Sequence, residues 1–469
     1  MHNSMAPDES MAPDESCDSQ CFIDTVIIPN VFTLDEEAEL LEVACLLIEN
    51  IIANNPLIYQ NYNFEKKLIE EVFNLLDKCL NEIFTINFTC DLNAIISRSL
   101  KLYYRNITPR RSYNHSFIRK IPNINSTKQK IEYIENIPQP EQRTSEWYIF
   151  RHQILTASSL WKAFDSHASQ NQLIYDKCSN IDINKYSRVS TESPMHWGQK
   201  YEKLSIMWYE NKYKTTISDY GCIQHKYITC LAASPDGINT DPSNLRYGRM
   251  LEIKNIVNRD ITGIPKKEYW IQMQLQMEVC NLNECDFLET RFIEYESDED
   301  FRADGDFTLS ADNNHKGIIL YFIKDGQPLY EYAPYLCSID EFNSWEKTMM
   351  IKYNQYTWMK NIYWKLKEIS CILVLRNKLW FSSAKPVIEN IWKVIQTEKI
   401  HGCSHRQPKK KTKTYVSTVE TYTNSKCLIN IDSLLNYDVN GVDNVNGVDN
   451  VNTIINDNII IITIATEII

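Results

Sequence analysis

Apolar positions along the chain switch between two periods, and the switches divide it into regions. Thr33-Leu-Asp-Glu36 has capping-box spacing, with a hydroxyl for the N3 amide and a carboxylate for the cap amide. The apolar run from Leu40 to Ile52 predicts the helix that this box opens. Leu68, Val72, Leu75, Leu76, Leu80 and Ile83 recur at helical spacing and predict a second helix over Asn63 to Phe84. From about residue 145 the pattern turns α/β. Helices are expected over 145–163 and 195–213, strands between Tyr220 and Ala233, and another strand over Met250 to Val257. Pro265 opens a helix over Lys266 to Asn281. Strands follow over 285–295 and 316–333, the latter folded back at Asp325-Gly326. Ser338-Ile-Asp-Glu341 repeats the capping-box spacing and is expected to start helices that continue to about Gln396.

These patterns divide the chain as follows. Residues 1–20, with a doubled MAPDES, read as a disordered leader, and 21–120 as a helical region without a chemical signal. The Pro-, Asn- and Ser-containing stretch 121–144 reads as a linker. An α/β core covers 145–335, helices cover 336–398, and 399–469 is a low-complexity tail ending in an Ile-rich, β-prone run. Seven acidic residues between Glu294 and Asp306 read as an exposed loop.

Composition narrows the chemistry. Of the 469 residues, 43% are hydrophobic and 23% charged, the balance of a soluble globular chain. No stretch approaches the ~18 consecutive apolar residues of a membrane helix, and the first residues lack the layout of a signal peptide, so neither a membrane protein nor a secreted one is expected. Fourteen cysteines without a C-x-x-C pair fit reduced thiols. With only eleven glycines, neither G-x-G-x-x-G nor G-x-x-x-x-G-K-[ST] can be written, which removes the Rossmann and P-loop nucleotide sites. H-E-x-x-H and G-x-S-x-G are also missing. His401, Cys403 and His405 are close in sequence, but such clusters in low-complexity tails are usually incidental.

The net charge of −12 argues against charge-driven binding of nucleic acid by the whole chain, yet it hides local blocks. Nine Lys/Arg and no acid lie between Leu92 and Ile131, interleaved with Tyr103, Tyr104, Tyr113 and Phe117. Six more, again without an acid, lie between Lys399 and Val419 around RQPKKKTK. Either block could neutralise phosphates while aromatic rings stack on bases; solvated surface is the alternative reading.

Carboxylates carry the sharper signal. Ala233-Ser-Pro-Asp236-Gly237 is followed by Leu251-Glu252-Ile253-Lys254, with Glu252 sixteen residues after Asp236. On a strand, the period of two puts Glu252 and Lys254 on one face, and Asp236 at the end of the preceding strand can sit beside them. Two carboxylates, with the Ile253 carbonyl as a further oxygen, suit Mg²⁺, and Lys254 can orient a water or offset phosphate charge. That equipment suits phosphodiester hydrolysis.

Four blocks then resemble, in order, the lambda-type exonuclease or YqaJ-like viral recombinase family of the PD-(D/E)XK nuclease superfamily. They are Glu146-Trp147 through Arg151 to Leu155-Thr-Ala-Ser158; Trp197-Gly-Gln-Lys-Tyr-Glu202; the Asp236 and Glu252–Lys254 segments; and Tyr269-Trp-Ile-Gln272-Met-Gln274. The resemblance covers about 145–335. It implies an α/β restriction-endonuclease-like core, a mixed central sheet flanked by helices, with helical regions on both sides. It implies Glu202, Asp236 and Glu252 as metal-site acids with Ile253, Lys254 as the catalytic lysine, and Gln272 as a supporting glutamine. Arg151 and Ser158 would receive a terminal 5′-phosphate. The activity implied is Mg²⁺-dependent exonucleolysis of linear duplex DNA, 5′ to 3′, in viral recombination or repair, with Mn²⁺ as a substitute ion. The alternatives are an endonuclease or junction resolvase using the same site, and an inactive DNA-binding or virion protein. Implied partners are DNA, a single-strand annealing protein and further copies of the chain. The Ile/Asn/Lys/Tyr-rich composition resembles proteins of large A+T-rich DNA viruses, which implies a host cytoplasmic factory or the nucleus as the place of action.

Overall fold

The computed structural model describes residues 31–182, 191–407, 451–456 and 459–464. The leader over 1–20 and the lysines after Pro408 lie outside the described residues. The described residues up to 407 form one compact unit; a second unit contains the antiparallel pair β11 (Val451–Asn456) and β12 (Ile459–Ile464).

The N-terminal region folds as α1 (Leu34–Asn54), α2 (Phe64–Leu80) and α3 (Thr89–Asn106). The Thr33–Glu36 capping box forms in both directions and starts α1 where expected. Leu68, Val72, Leu76 and Leu80 make one buried stripe on α2. The stretch expected to be a linker holds a helix instead, α4 (Ile124–Asn136), capped by Asn123 and seated through Ile131 and Ile134. Its burial comes from tertiary contacts that a Pro/Asn/Ser count does not register.

The core then runs α5 (Ser145–Gln153), β1 (Leu155–Thr156), α6 (Ala157–Leu160), α7 (His167–Cys178), α8 (Pro194–Tyr213), β2 (Ile217–Ser218), β3 (Ile223–Gln224), β4 (Leu231–Ala233), β5 (Gly237–Asn239), β6 (Met250–Asn255), α9 (Lys267–Val279), β7 (Glu284–Glu294), α10 (Asp298–Ala303), β8 (Lys316–Lys324) and β9 (Gln327–Tyr332). After these come α11 (Ile339–Lys352), β10 (Thr357–Leu375) and α12 (Lys378–His401). Seven strands form the main sheet in the order β2-β5-β6-β7-β10-β8-β9; β1-β4-β3 form a smaller one. The β2–β5 and β5–β6 pairs are antiparallel, and β7 returns parallel to β6 after the α9 crossover. This is the expected mixed sheet flanked by helices. Gly237 is needed where β5 meets β2, because a Cβ there would fall 2.2 Å from Ile217 Cγ2. At the β8–β9 turn, Asp325 and Gly326 both take positive φ, as a two-residue hairpin demands.

Two further expectations are corrected. Helices alone were expected over 336–398, but 357–375 is the nineteen-residue strand β10, inserted between β7 and β8. Ile362, Trp364 and Leu366 alternate inward with period two, a signal masked by the helical stretches on either side. The core sheet therefore extends past residue 335. The acidic segment is also not a bare loop: Ser297 caps α10, Asp304 pairs with Lys365 at 2.8 Å, and the Asp306 carboxylate accepts the Thr308 and Leu309 amides.

The N-terminal helices share a core with α9 and α12. Tyr59 stacks on Trp270, whose indole N–H donates to the Arg111 carbonyl. Arg111 is itself buried, donating to the carbonyls of Tyr59, Gln60 and Pro265. Arg110 pairs with Glu65 at 2.6 Å. These two arginines of the cation-rich block thus hold the fold rather than await phosphate. Replacing Arg111 by Ala leaves three carbonyls without their donor and should cost about 2–3 kcal/mol in urea unfolding. The exposed Arg105→Ala should stay within about 0.5 kcal/mol of the parent. Equal effects of the two substitutions would remove Arg111 from this role.

Candidate metal and phosphate site

Strand β6 builds the site by alternation. Leu251 and Ile253 point into the apolar layer beneath α8, with Tyr201, Leu204 and Leu288. Glu252 and Lys254 point to the opposite face, towards α9. Glu252 is fully buried, pairs with Lys254, and accepts a 2.7 Å hydrogen bond from Gln276 Nε2. The Lys254 ammonium also lies 5.2 Å from the centroid of the Tyr269 ring. Burial opposes its charge, while Glu252 and Asp236 support it; the carboxylates win, and its pKa is raised.

The β5–β6 pairing ends at Gly237–Leu251. Beyond it, the Ile253 N–H has no strand partner on that side and donates to Asp236 Oδ2 at 2.7 Å. In an extended strand a residue's N–H and C=O share a side, so the Ile253 carbonyl faces the same gap. Asp236 therefore sits against β6 as the sequence pattern expects. Glu202 comes from α8 and pairs with Arg143 at 3.3 Å, with about a third of its side chain (31%) accessible. Arg143 reaches it from a backbone in the left-handed region, φ 70°.

Burial, then the Glu252 charge, pushes the Asp236 carboxyl well above the usual aspartate range. Glu202 is raised by burial and Asp219, with Arg143 opposing. Glu202, Asp219, Asp236 and Glu252 thus interact around two cations, Arg143 and Lys254. Among the described residues no three His, Cys, Asp or Glu side chains already converge into a cage. The donors are nevertheless hard oxygens in net negative surroundings, and they fit a divalent cation such as Mg²⁺.

Arg151 and Ser158 come together: the guanidinium donates to Ser158 Oγ at 2.9 Å and stands 4.2 Å from the Trp147 ring centroid. The Thr144 hydroxyl caps α5 by accepting the Trp147 amide, and β1 pairs with β4, so the Arg151–Ser158 element is anchored to the strand that leads to Asp236. Lys177 donates to the Arg151 carbonyl at 2.5 Å; burial, then Arg151, brings its pKa down to about 7.

Gln272 is buried on α9 but makes no side-chain hydrogen bond among the described residues; the glutamine on Glu252 is Gln276, one turn later. Sequence reading passed over it. The signal was the run Gln272, Gln274, Gln276, in which 272 and 276 share a helical face while Gln274 turns away to Leu375 and Asn377. Arg143 and Lys177 had no sequence signal, because both act through distant partners.

Residues 146–283 match the family model of the YqaJ-like viral recombinase domain. The chain is 28% identical over 313 residues to an uncharacterised protein, R354, of Acanthamoeba polyphaga mimivirus; the match covers 58% of this chain and 56% of that protein. The chain thus spans about half the length of this curated relative. Among solved structures it is similar to an alkaline exonuclease, LHK-Exo, of Laribacter hongkongensis, alone (TM-score 0.33) and with dAMP (TM-score 0.34), each at 17% identity and covering 55% of this chain and 95% of that one.

The raised Asp236 pKa sets a pH-dependent stability. Ionising Asp236 costs folding free energy above the ordinary aspartate pKa of ~3.9; below it, folded and unfolded states are both protonated and the cost disappears. Asp236→Asn should therefore melt above the parent at pH 8 in EDTA, with the gap closing as pH falls towards 4. Millimolar Mg²⁺ should narrow the gap at pH 8 by stabilising the parent. A variant less stable than the parent at pH 8 would contradict this electrostatic account.

Proposed function

We propose that this chain, whose residues 146–283 match the YqaJ-like viral recombinase domain, is a metal-dependent DNA exonuclease acting on linear duplex ends from the 5′ side in viral recombination or repair. The observation that carries the reading is the junction of Asp236 with the open edge of β6, beside Glu252 and Lys254 on one strand face. A Mg²⁺ or Mn²⁺ ion among Glu202, Asp236, Glu252 and the Ile253 carbonyl would supply a more acidic water and offset phosphate charge. The chain's own groups supply the geometry. Gln276 holds one oxygen of Glu252 and Lys254 binds the other, so the carboxylate cannot rotate freely. The Lys254 ammonium can in turn hold the attacking water or meet a phosphate oxygen. Arg151 offers a planar fork and Ser158 a hydroxyl to a terminal phosphate, with Trp147 packed beneath the guanidinium. On this reading the chain works in a host cytoplasmic factory or the nucleus, where viral DNA is handled.

Glu252→Ala and Lys254→Ala should each lower cleavage by at least ~10³, about 4 kcal/mol of barrier, while DNA binding persists. EDTA should abolish cleavage by the parent. Near-normal rates in either variant would end the catalytic assignment.

The end preference tests the phosphate pocket. Charge-assisted hydrogen bonds of ~1.5–3 kcal/mol each support a tenfold to hundredfold preference for 5′-phosphorylated over 5′-hydroxyl linear duplex, with closed circles resistant. Arg151→Ala should erase that preference more than it slows the 5′-hydroxyl reaction. Equal rates on both ends, or efficient nicking of closed circles, would favour an endonuclease.

A further inference from the structure

The cation-rich block resolves into two kinds of residue. Arg98 and Arg110 are paired with Glu37 and Glu65, and Arg111 is buried, whereas Lys120 and Lys130 have no acidic partner among the described residues. Lys130 lines a cleft of about 480 Å³ between α4 and the turn joining β3 to β4, with Tyr133, Lys226, Tyr227 and Arg376. A second hollow of about 350 Å³ shares Ser126 and Lys130 with it and extends to Lys120. Burial, then Arg376 and Lys378, holds the Lys130 ammonium below the usual lysine range: its neighbours are further cations. The acids that reach these hollows are already taken, Glu278 by Arg376 and Glu284 by Arg249.

Aromatic rings are set among these charges. Tyr227 is 79% exposed and Tyr133 42% exposed, and the Lys226 ammonium lies 5.5 Å and 4.9 Å from their centroids. The turn that presents Tyr227 is fixed, because His225 Nδ1 accepts the amides of Tyr227 and Ile228 at 3.0 and 2.9 Å. Uncompensated cations fit phosphates, and exposed rings fit the faces of unpaired bases, which a closed duplex does not offer.

We propose that this cleft binds single-stranded DNA, with Lys120, Lys130 and Lys226 meeting phosphates and Tyr133 and Tyr227 meeting bases. The proposal rests on the exonuclease reading, since degrading one strand of a duplex leaves the other unpaired. Strand β4 runs from this turn towards Asp236, and nine residues separate Tyr227 from Asp236, a span of at most ~30 Å. The cleft would hold the spared strand several nucleotides from the cut.

The test is fluorescence anisotropy of a labelled fifteen-nucleotide oligodeoxythymidylate with the full chain in EDTA, where metal-dependent cleavage is stopped. Lys226→Glu combined with Tyr227→Ala, both at exposed positions, should weaken binding at least tenfold. Lys130→Gln should reduce the salt slope by about one. Cleavage of a short phosphorylated duplex in Mg²⁺ should be unchanged in both variants. Unaltered oligonucleotide affinity in the double variant, or no binding by the parent, overturns the cleft assignment and leaves the exonuclease reading standing. A parent that binds the oligonucleotide as expected yet cuts no DNA overturns the exonuclease reading alone. Competition by polyglutamate as strong as by unlabelled oligonucleotide would reassign the cleft to acidic protein partners.

Discussion

The early end of the β5–β6 ladder is the constraint on which the rest depends. Had antiparallel pairing continued past Gly237–Leu251, the Ile253 amide would be closed by a backbone carbonyl. Because it stops, an unpaired donor stands at the middle of a sheet, where leaving it unsatisfied would cost ~1–3 kcal/mol. Asp236 fills that vacancy with a side-chain oxygen. A need of the backbone thus fixes a carboxylate beside Glu252, against the repulsion between them. The register with β7 on the other side, Glu252 opposite Phe287 and Lys254 opposite Glu289, keeps β6 from sliding.

The same economy of buried charge recurs below the sheet. Asp286, wholly buried on β7, accepts from the Ser116 and Tyr209 hydroxyls and pairs with Arg249, which also holds Glu284. Ser116 belongs to the N-terminal region, so this network joins that region to the sheet much as Arg111 joins it to α9. Loss of one partner would leave another charge buried alone, which is costlier than loss of the pair. The N-terminal helices are in this sense part of the platform under the site, not an appendage to it.

How much was legible in the sequence follows from how local each signal is. Capping boxes, the β6 alternation and the Asp-Gly turn operate within a few residues, and each formed where its pattern lay. Arg151 on α5 and Ser158 on α6 are only seven residues apart, so their contact across β1 is also local in the chain. The failures were non-local. Whether Arg111 meets a phosphate or three carbonyls depends on chain fifty and more than one hundred and fifty residues away. Strand β10 is flanked by helices in sequence and takes its place only through β7 and β8. Gln276 outranks Gln272 through the offset between α9 and β6, which no spacing within the helix states.

Strand β10 also has a consequence for biosynthesis. In the main sheet it lies between β7 and the β8–β9 hairpin, with bulges near Trp358 and Leu366 that let nineteen residues bend across both. Roughly sixty residues separate the end of β7 from the start of β10. While a ribosome adds them, the outer edge of β7 presents open amides and carbonyls to any passing strand. The nascent chain must guard that edge until residue 375 has emerged. Folding of the sheet is therefore exposed to mispairing over the interval between those two strands, apart from the finished fold's stability.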